Sequence, residues 1–276
     1  MAVRITTLID NTAGYGFLGE WGLSMLLEAD GRKILMDSGQ SISTLHNADR
    51  LGINLAEIDC IVLSHGHFDH TRCLEHVLSR TGEIEIVAHP DIWAPKYVRR
   101  SPTVIDYIGM SNSREDLESR GARFRLTREP FAITKNIMTT GEIEMVNGYE
   151  KIEGNLLVKE GEGFAPDNLA DDLALVINAE CGLIIMLGCA HRGMINSIRQ
   201  AQRLTGNRKV YAVLGGTHLI FADEARMSGT ISDLKEIGVT RLGVSHCTGF
   251  NTSTQLAQAF PESFFLNMAG TRLTFP

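Results

Sequence analysis

Six consecutive residues, His65-Gly66-His67-Phe68-Asp69-His70, bring together three imidazoles and a carboxylate. They directly follow Cys60-Ile61-Val62-Leu63, an apolar run of the kind a strand buried on both faces presents. In an extended segment residues two apart project to the same side, so His65 and His67 can grip one cation together. Asp69 and His70 come as the chain turns into a helix bearing Leu74, Val77 and Leu78, point differently, and can serve a second cation. Imidazole nitrogen and carboxylate oxygen suit zinc, iron or manganese, and Gly66 lets the backbone pass close to the ions. Such a centre lowers the pKa of bound water to about 7, polarises an acyl or phosphoryl oxygen and orients substrate. Asp69 is the catalytic candidate. It can ligate the metal and steer the hydroxide, or take the proton as the leaving group departs. No Gly-x-Ser-x-Gly elbow and no phosphate-binding Gly-Lys-Ser/Thr loop offers a competing nucleophile scheme.

The surrounding chain alternates strand and helix signals. Val3–Ile9 and Leu23–Glu28 read as strands, Asp30-Gly31 as a hairpin turn, and Lys33–Met36 as the returning strand that ends at Asp37. Ser41 is placed to cap a helix with Leu45, Ala48 and Leu51 on one face, stopped by Gly52. Leu173–Asn178 and Leu183–Leu187 form a hairpin, followed by two strand–helix units. One helix carries Met194, Ile195, Ile198, Ala201 and Leu204 before Gly206; the other carries Met227, Ile231, Leu234 and Ile237 before Gly238. Strands Val210–Leu214 and Arg241–Val244 accompany them. The pattern implies helices layered on either side of packed sheets. The stretch from about 95 to 153 has weak periodicity and is expected to be helices and loops inserted over one face.

The run Ser64 to His70 is similar to the signature of the metallo-β-lactamase superfamily, and Asp37 matches that superfamily's first motif, an aspartate that steadies the metal loop. Gly188-Cys189-Ala190-His191 and Ser245-His246-Cys247-Thr248-Gly249 stand where its later ligands lie. A narrower resemblance, to the dihydropterin-ribofuranosylaminobenzene-phosphate synthase-like subgroup, rests on Asp171-Asp172-Leu173-Ala174-Leu175, Gly188 to Gly193, Gly215-Gly216-Thr217-His218-Leu219 and His246 to Gly249. The resemblance implies an α/β fold, a four-layer αββα sandwich, in one domain over residues 1–276. It implies metal ligation by His65, His67, Asp69, His70, His191 and His246.

The chain departs from the wider pattern in two places. No histidine precedes Leu173, only Asp167, Asp171 and Asp172, and the usual Gly-Asp after the next strand is Gly188-Cys189. His191 is therefore expected to take the missing ligand role, with Cys189 either a thiolate ligand or a packed neighbour. His218 is expected to touch metal or substrate, or to support the ligands from behind. His89 fits no ligand position, and His46 and His76 lie on predicted helices facing solvent. For substrate, Gly188–Gly193 with Arg192, and Thr248–Ser253, run into helix starts that could hold an anion on backbone N–H groups. Lys96, Arg99 and Arg100 are either a charged lid or a solvated face.

The chain of 276 residues carries 26 Lys and Arg against 33 Asp and Glu, a net charge of −7, which argues against an extensive nucleic-acid groove. Five cysteines without regular spacing do not make a disulfide framework, so a reducing cytoplasm is the expected compartment, and no apolar run is long enough to span a membrane. The expected cofactor is one or two divalent ions, foremost zinc, with iron or manganese as alternatives. The expected partner is a small, anionic molecule, and a homo-oligomer is left open. The primary expectation is a hydrolase in which metal-bound hydroxide attacks an ester, phosphodiester or related bond. The alternatives are a synthase or transferase acting on a phosphoribosyl compound, and a non-haem iron oxidoreductase on the same scaffold.

Overall fold

Strand Arg32–Met36 shows how the layers arise: Ile34 and Met36 point to one side, Leu35 to the other, and all are fully buried. Neighbouring Cys60–Val62 repeats the pattern, with Cys60 and Val62 on the first side and Ile61 on the second. A strand whose successive side chains all find apolar partners must lie between two cores. In this computed structural model, which describes residues 2–276, these strands belong to a seven-stranded sheet. Its order is Arg272–Phe275, Val3–Ile9, Ser24–Ala29, Arg32–Met36, Cys60–Val62, Ile84–Ala88 and Ala122–Leu126. The second sheet, also seven-stranded, runs Phe264–Leu266, Arg241–Ser245, Val210–Gly216, Gly182–Leu187, Ala174–Ala179, Ile137–Thr139 and Phe131–Ala132.

One core joins the two sheets, with Ile5, Met25, Ile34 and Met36 meeting Leu175, Ile177, Ile184 and Met186. A second lies between the first sheet and helices Ser43–Arg50, Leu74–Thr81 and Arg114–Ser119. A third lies between the second sheet and helices Met194–Thr205, Glu224–Ile237 and Phe250–Ala259. Helix, sheet, sheet, helix is the expected αββα sandwich. Asp30 and Gly31, at φ 53° and 70°, form the hairpin turn, and Gly206 and Gly238 end their helices in the left-handed conformation. Ser41 does not directly cap the first helix. The helix begins at Ser43, whose N–H reaches Ser41 Oγ at 3.2 Å, while Glu20 holds the Ser41 backbone and hydroxyl.

The middle of the chain differs from the expectation of helices and loops. Among its described residues lie the helix Arg114–Ser119 and several strands. Ala122–Leu126 closes the first sheet beside Ile84–Ala88, and Ile137–Thr139 pairs with Ala174–Ala179 in the second. Lys96–Ser101 and Val104–Tyr107 join Leu156–Glu160 and Gly163–Pro166 in a four-stranded antiparallel third sheet. Its short hairpins with half-exposed faces lack the long apolar runs that advertise a central strand. No described helix is long and apolar enough to cross a membrane.

Candidate metal centre

The candidate ligands sit where strands of the two sheets end. The parallel neighbours Arg32–Met36 and Cys60–Val62 deliver Asp37 and the segment Ser64–His70 side by side. Asp37 is fully buried at φ 60°, a left-handed backbone that few non-glycine residues adopt. Its Oδ1 accepts Ser64 N–H at 2.7 Å, and its Oδ2 lies 2.7 Å from both Ser64 Oγ and His70 Nδ1. Ser64 Oγ in turn meets His65 Nδ1 at 2.9 Å. One carboxylate thus orients two imidazoles through their Nδ1 atoms and leaves both Nε2 atoms to face inward, an arrangement that fixes tautomers for metal binding. Gly66 has no room for a side chain, since a Cβ would stand 2.1 Å from the Ile92 carbonyl oxygen.

The second sheet supplies the rest singly. Cys189 and His191 follow Gly182–Leu187, His218 follows Val210–Gly216, and His246 follows Arg241–Ser245. Ala190, His218 and His246 have φ of 52°, 46° and 52°. Together with Asp37, four of the six non-glycine residues with positive φ among the described ones therefore lie at this centre, where strain is characteristically stored. His246 is held by the first strand's end: Asp10 Oδ1 accepts its N–H at 2.6 Å, and Asn11 Oδ1 meets its Nδ1 at 2.9 Å.

These loops converge. One ligand atom each from His65, Cys189 and His191 falls within a 4.8 Å group, one each from His70, Cys189 and His246 falls within another, and one each from Glu153, His191 and His218 within a third. Cys189 is the shared vertex of the first two. His70 Nε2 stands 3.1 Å from Cys189 Sγ and 3.3 Å from His246 Nε2, and Asp69 Oδ2 lies 3.2 Å from His246 Nε2. His67 packs edge-on against His65 and His191, with ring centroids 4.5 and 4.9 Å away. His67 Nε2 and both nitrogens of His191 are buried with no hydrogen-bond partner in the protein. Buried polar atoms are rarely left so, and unpartnered donor nitrogens facing a thiol and neighbouring imidazoles fit a bound cation.

The electrostatics agree for His65, His67 and His191, whereas burial of His70 is outweighed by Asp37 and Asp69, which push it up to about 9, so a cation there would have to displace its proton. Burial, reinforced by the neighbouring imidazoles, holds His65 and His191 well below the ordinary histidine range, and burial brings His67 to about 3, so their lone pairs are available. Burial opposes ionisation of Asp69, yet His70 and His246 outweigh it and keep the carboxyl below its usual range. Burial pushes the Cys189 thiol up; a cation at that vertex would deprotonate it.

Other sequence candidates land elsewhere. Arg192 does not face the centre: its Nε and Nη1 donate to the carbonyls of Ile143 and Asn168 at 2.6 and 2.8 Å. The helix start beyond it is already taken, because Glu150 accepts the N–H groups of Ile195 and Asn196, both at 2.8 Å. The Thr248 hydroxyl is buried between the Ser245 carbonyl and Thr217. The expected anion site at Arg192 is thus occupied by the protein's own groups, and the Thr248 hydroxyl is likewise engaged within the protein. Lys96 is neither lid nor solvated face but is buried, paired with Asp167 and Asp171. His89 bonds Glu142, and His46 and His76 are exposed.

Sequence reasoning did not single out Asp10, Asn11, Glu153 or Trp21. His218 Nδ1 lies 3.0 Å from Glu153 Oε1, off line for a hydrogen bond, and Arg226 Nη1 also reaches that oxygen at 3.0 Å. A cavity of about 430 Å³ opens over the centre. Its floor includes His67, Asp69, Cys189, His191 and His246, its third-sheet side includes Val98, Ile108 and Leu156, and its lining also includes Trp21, Arg100, His218 and Phe221.

Comparison with known proteins matches this geometry. The family model for the metallo-β-lactamase superfamily matches residues 22–118, spanning Asp37 and the ligand loop. The 7,8-dihydropterin-6-methyl-4-(β-D-ribofuranosyl)-aminobenzene-5'-phosphate synthase of Methanocaldococcus jannaschii is 36% identical over 284 residues, covering 99% of this chain and 97% of that protein. The uncharacterized protein MJ0448 of the same organism is 31% identical, covering 92% and 94%. The crystal structure of Tm1679, a metal-dependent hydrolase of the β-lactamase superfamily, superposes with a TM-score of 0.85 at 25% identity and covers 98% of both chains. Near full-length relatedness, the αββα layers and converging ligand loops lead to one conclusion: the chain belongs to the metallo-β-lactamase superfamily.

Proposed function

We propose that this protein is a metal-dependent hydrolase acting on an ester or phosphodiester bond of a small anionic substrate. The observation that carries the reading is the set of buried, unpartnered nitrogens on His67 and His191 beneath an open cavity. His65, His67 and His191 would hold one divalent ion and Asp69, His70 and His246 a second, with Cys189 replacing the bridging carboxylate. The mixed nitrogen, sulfur and oxygen donors favour zinc. When bound, such an ion supplies an activated water and polarises the scissile bond. Asp69, ionised and on the cavity floor, orients the attacking water and receives its proton. Arg100, exposed at the cavity with its Nε paired to Asp106, offers its terminal guanidinium nitrogens to an anionic substrate. Five free cysteines are in keeping with a reducing, cytoplasmic setting.

A second reading, synthase chemistry on a phosphoribosyl compound, is favoured by the name of the Methanocaldococcus jannaschii relative. One experiment separates the two. The metal-loaded protein is assayed on p-nitrophenyl phosphodiesters and, in parallel, on a dihydropterin carrying a leaving group on its 6-methyl carbon together with 4-(β-D-ribofuranosyl)aminobenzene 5'-phosphate, each with Asp69→Asn as control. Ester cleavage abolished by Asp69→Asn supports hydrolysis; condensation product without ester cleavage overturns it. Metal analysis after anaerobic purification that finds stoichiometric iron and no zinc or manganese would instead favour the oxidoreductase reading.

A further inference from the structure

The three aspartates before Leu173 stand where the wider superfamily pattern has a histidine, and the reading above leaves them unused. Asp171 is 1% exposed, and its Oδ2 accepts the Gly66 N–H at 2.8 Å, between His65 and His67. Its Oδ1 accepts from Lys96 Nζ at 2.8 Å, and the same ammonium reaches Asp167 Oδ2 at 3.0 Å. Lys96, also 1% exposed, is the first residue of the third sheet. Its carbonyl accepts Ile108 N–H at 2.9 Å, and the Ile108 carbonyl accepts Phe68 N–H at 3.0 Å. The peptide N–H groups on both sides of His67 are therefore held by one unit, Gly66 through Asp171 and Phe68 through Ile108. Burial works against the Lys96 charge, but Asp171 and Asp167 outweigh it and keep the ammonium above its ordinary range.

The geometry points to Lys96 and Asp171 as positioning residues for the metal centre: through them the third sheet, which also walls the cavity, sets the direction in which His65 and His67 present their ring nitrogens. This rests on the reading of those histidines as ligands. Apolar packing could join the same segments without ions. It could not supply an acceptor at Gly66 N–H, where a Cβ would lie 2.1 Å from the Ile92 carbonyl and leaves no space for a side chain to pack. Without Lys96, Asp171 and Asp167 would be left as buried carboxylates sharing no counter-charge, and Asp171 would lose the contact that aims it at Gly66.

The test uses the full chain with Asp171→Asn, Lys96→Met and Lys96→Arg. Zn²⁺ affinity is read by competition with a chromophoric chelator, and thermal unfolding of the chelator-treated protein is followed alongside. Asp171→Asn is expected to weaken Zn²⁺ binding about 10- to 100-fold, the range that partners of metal ligands command, with little change in unfolding temperature. Lys96→Met is expected to lose at least as much, and Lys96→Arg to recover most of it. A folded Asp171→Asn protein with unchanged Zn²⁺ affinity overturns the inference, and it decides the matter even if Lys96→Met fails to fold. If the unaltered chain binds Zn²⁺ no better than His67→Ala, the ligand reading itself fails and this inference with it.

Discussion

The two candidate cation positions that share Cys189 differ in how the protein holds them. At His70, Cys189 and His246, each imidazole has its outer nitrogen engaged, His70 by Asp37 at 2.7 Å and His246 by Asn11 at 2.9 Å, so both Nε2 atoms already meet. At His65, His67 and His191, only His65 is held from outside, by Ser64. His67 Nδ1 bonds His65 Nε2 at 3.0 Å, one candidate ligand spent on another, and His191 has ring contacts but no hydrogen-bond partner. The first position has its rings held by hydrogen bonds to outer side chains; the second has hydrogen bonds to the backbone on both sides of His67, while the His67 and His191 rings have no outer side-chain partner. Orientation by outer partners raises ligand basicity and lowers the cost of ordering.

Removing the best-held imidazole should show the contrast most strongly. His70→Ala takes the counter-charge from the buried Asp37 carboxylate and leaves it only the Ser64 N–H and hydroxyl, and the chelator-treated protein should lose about 3–5 kcal/mol in denaturant unfolding, the cost of breaking a buried pair. His191→Ala breaks no hydrogen bond and should cost the metal-free protein clearly less, while still abolishing binding at its own position in a metal titration. Equal losses of metal-free stability would erase the distinction. A gentler break is Asn11→Leu, which frees His246 to rotate. Metal affinity should fall about 10- to 100-fold at that position alone, read as one weakened step in a calorimetric titration.

The pH dependence of metal-free stability offers a finer probe on the His191 side. Asp172 accepts the Arg192 N–H at 2.8 Å, leaves its other oxygen unpartnered, and is pushed up to about 7, foremost by burial. Its folded value is raised above the unfolded one, so its contribution to stability is fully present below about 4 and is lost as pH rises through about 7. Asp172→Asn should flatten that part of the stability–pH curve. Smallest of all, Arg192→Met removes bonds to two carbonyls remote from the cavity and should leave KM unchanged in steady-state assays, whereas a raised KM would restore Arg192 as a substrate residue.

The same contrast explains what could be read in advance. The ligand loop was legible because His65, His67, Asp69 and His70 are neighbours in sequence and follow a buried strand. His191 and His246 were reached through the family pattern rather than through local spacing. Asn11 carried no signal, and Asp171 stood out only as part of a family motif without a role, since an amide and a carboxylate in loops resemble any others until a contact 235 or 105 residues away gives them work. The third sheet was missed for a related reason. Its strands pair Leu156 with Val98 across the sequence, and their half-exposed faces give no clean alternation.

By itself the sequence determined the period-two burial of the central strands, the glycine-terminated helices and the clustering of imidazole and carboxylate on one loop, all consequences of local residue order. Tertiary structure alone decided that Cys189 falls at the vertex of two ligand groups and that Glu150 fills the helix start expected to bind an anion. It also turned a surface-seeming lysine into the buried tie beneath the metal loop. The physical reason is common to all three. Each depends on which chain segments share a buried volume, where polar groups must find partners, and no local pattern specifies those partners.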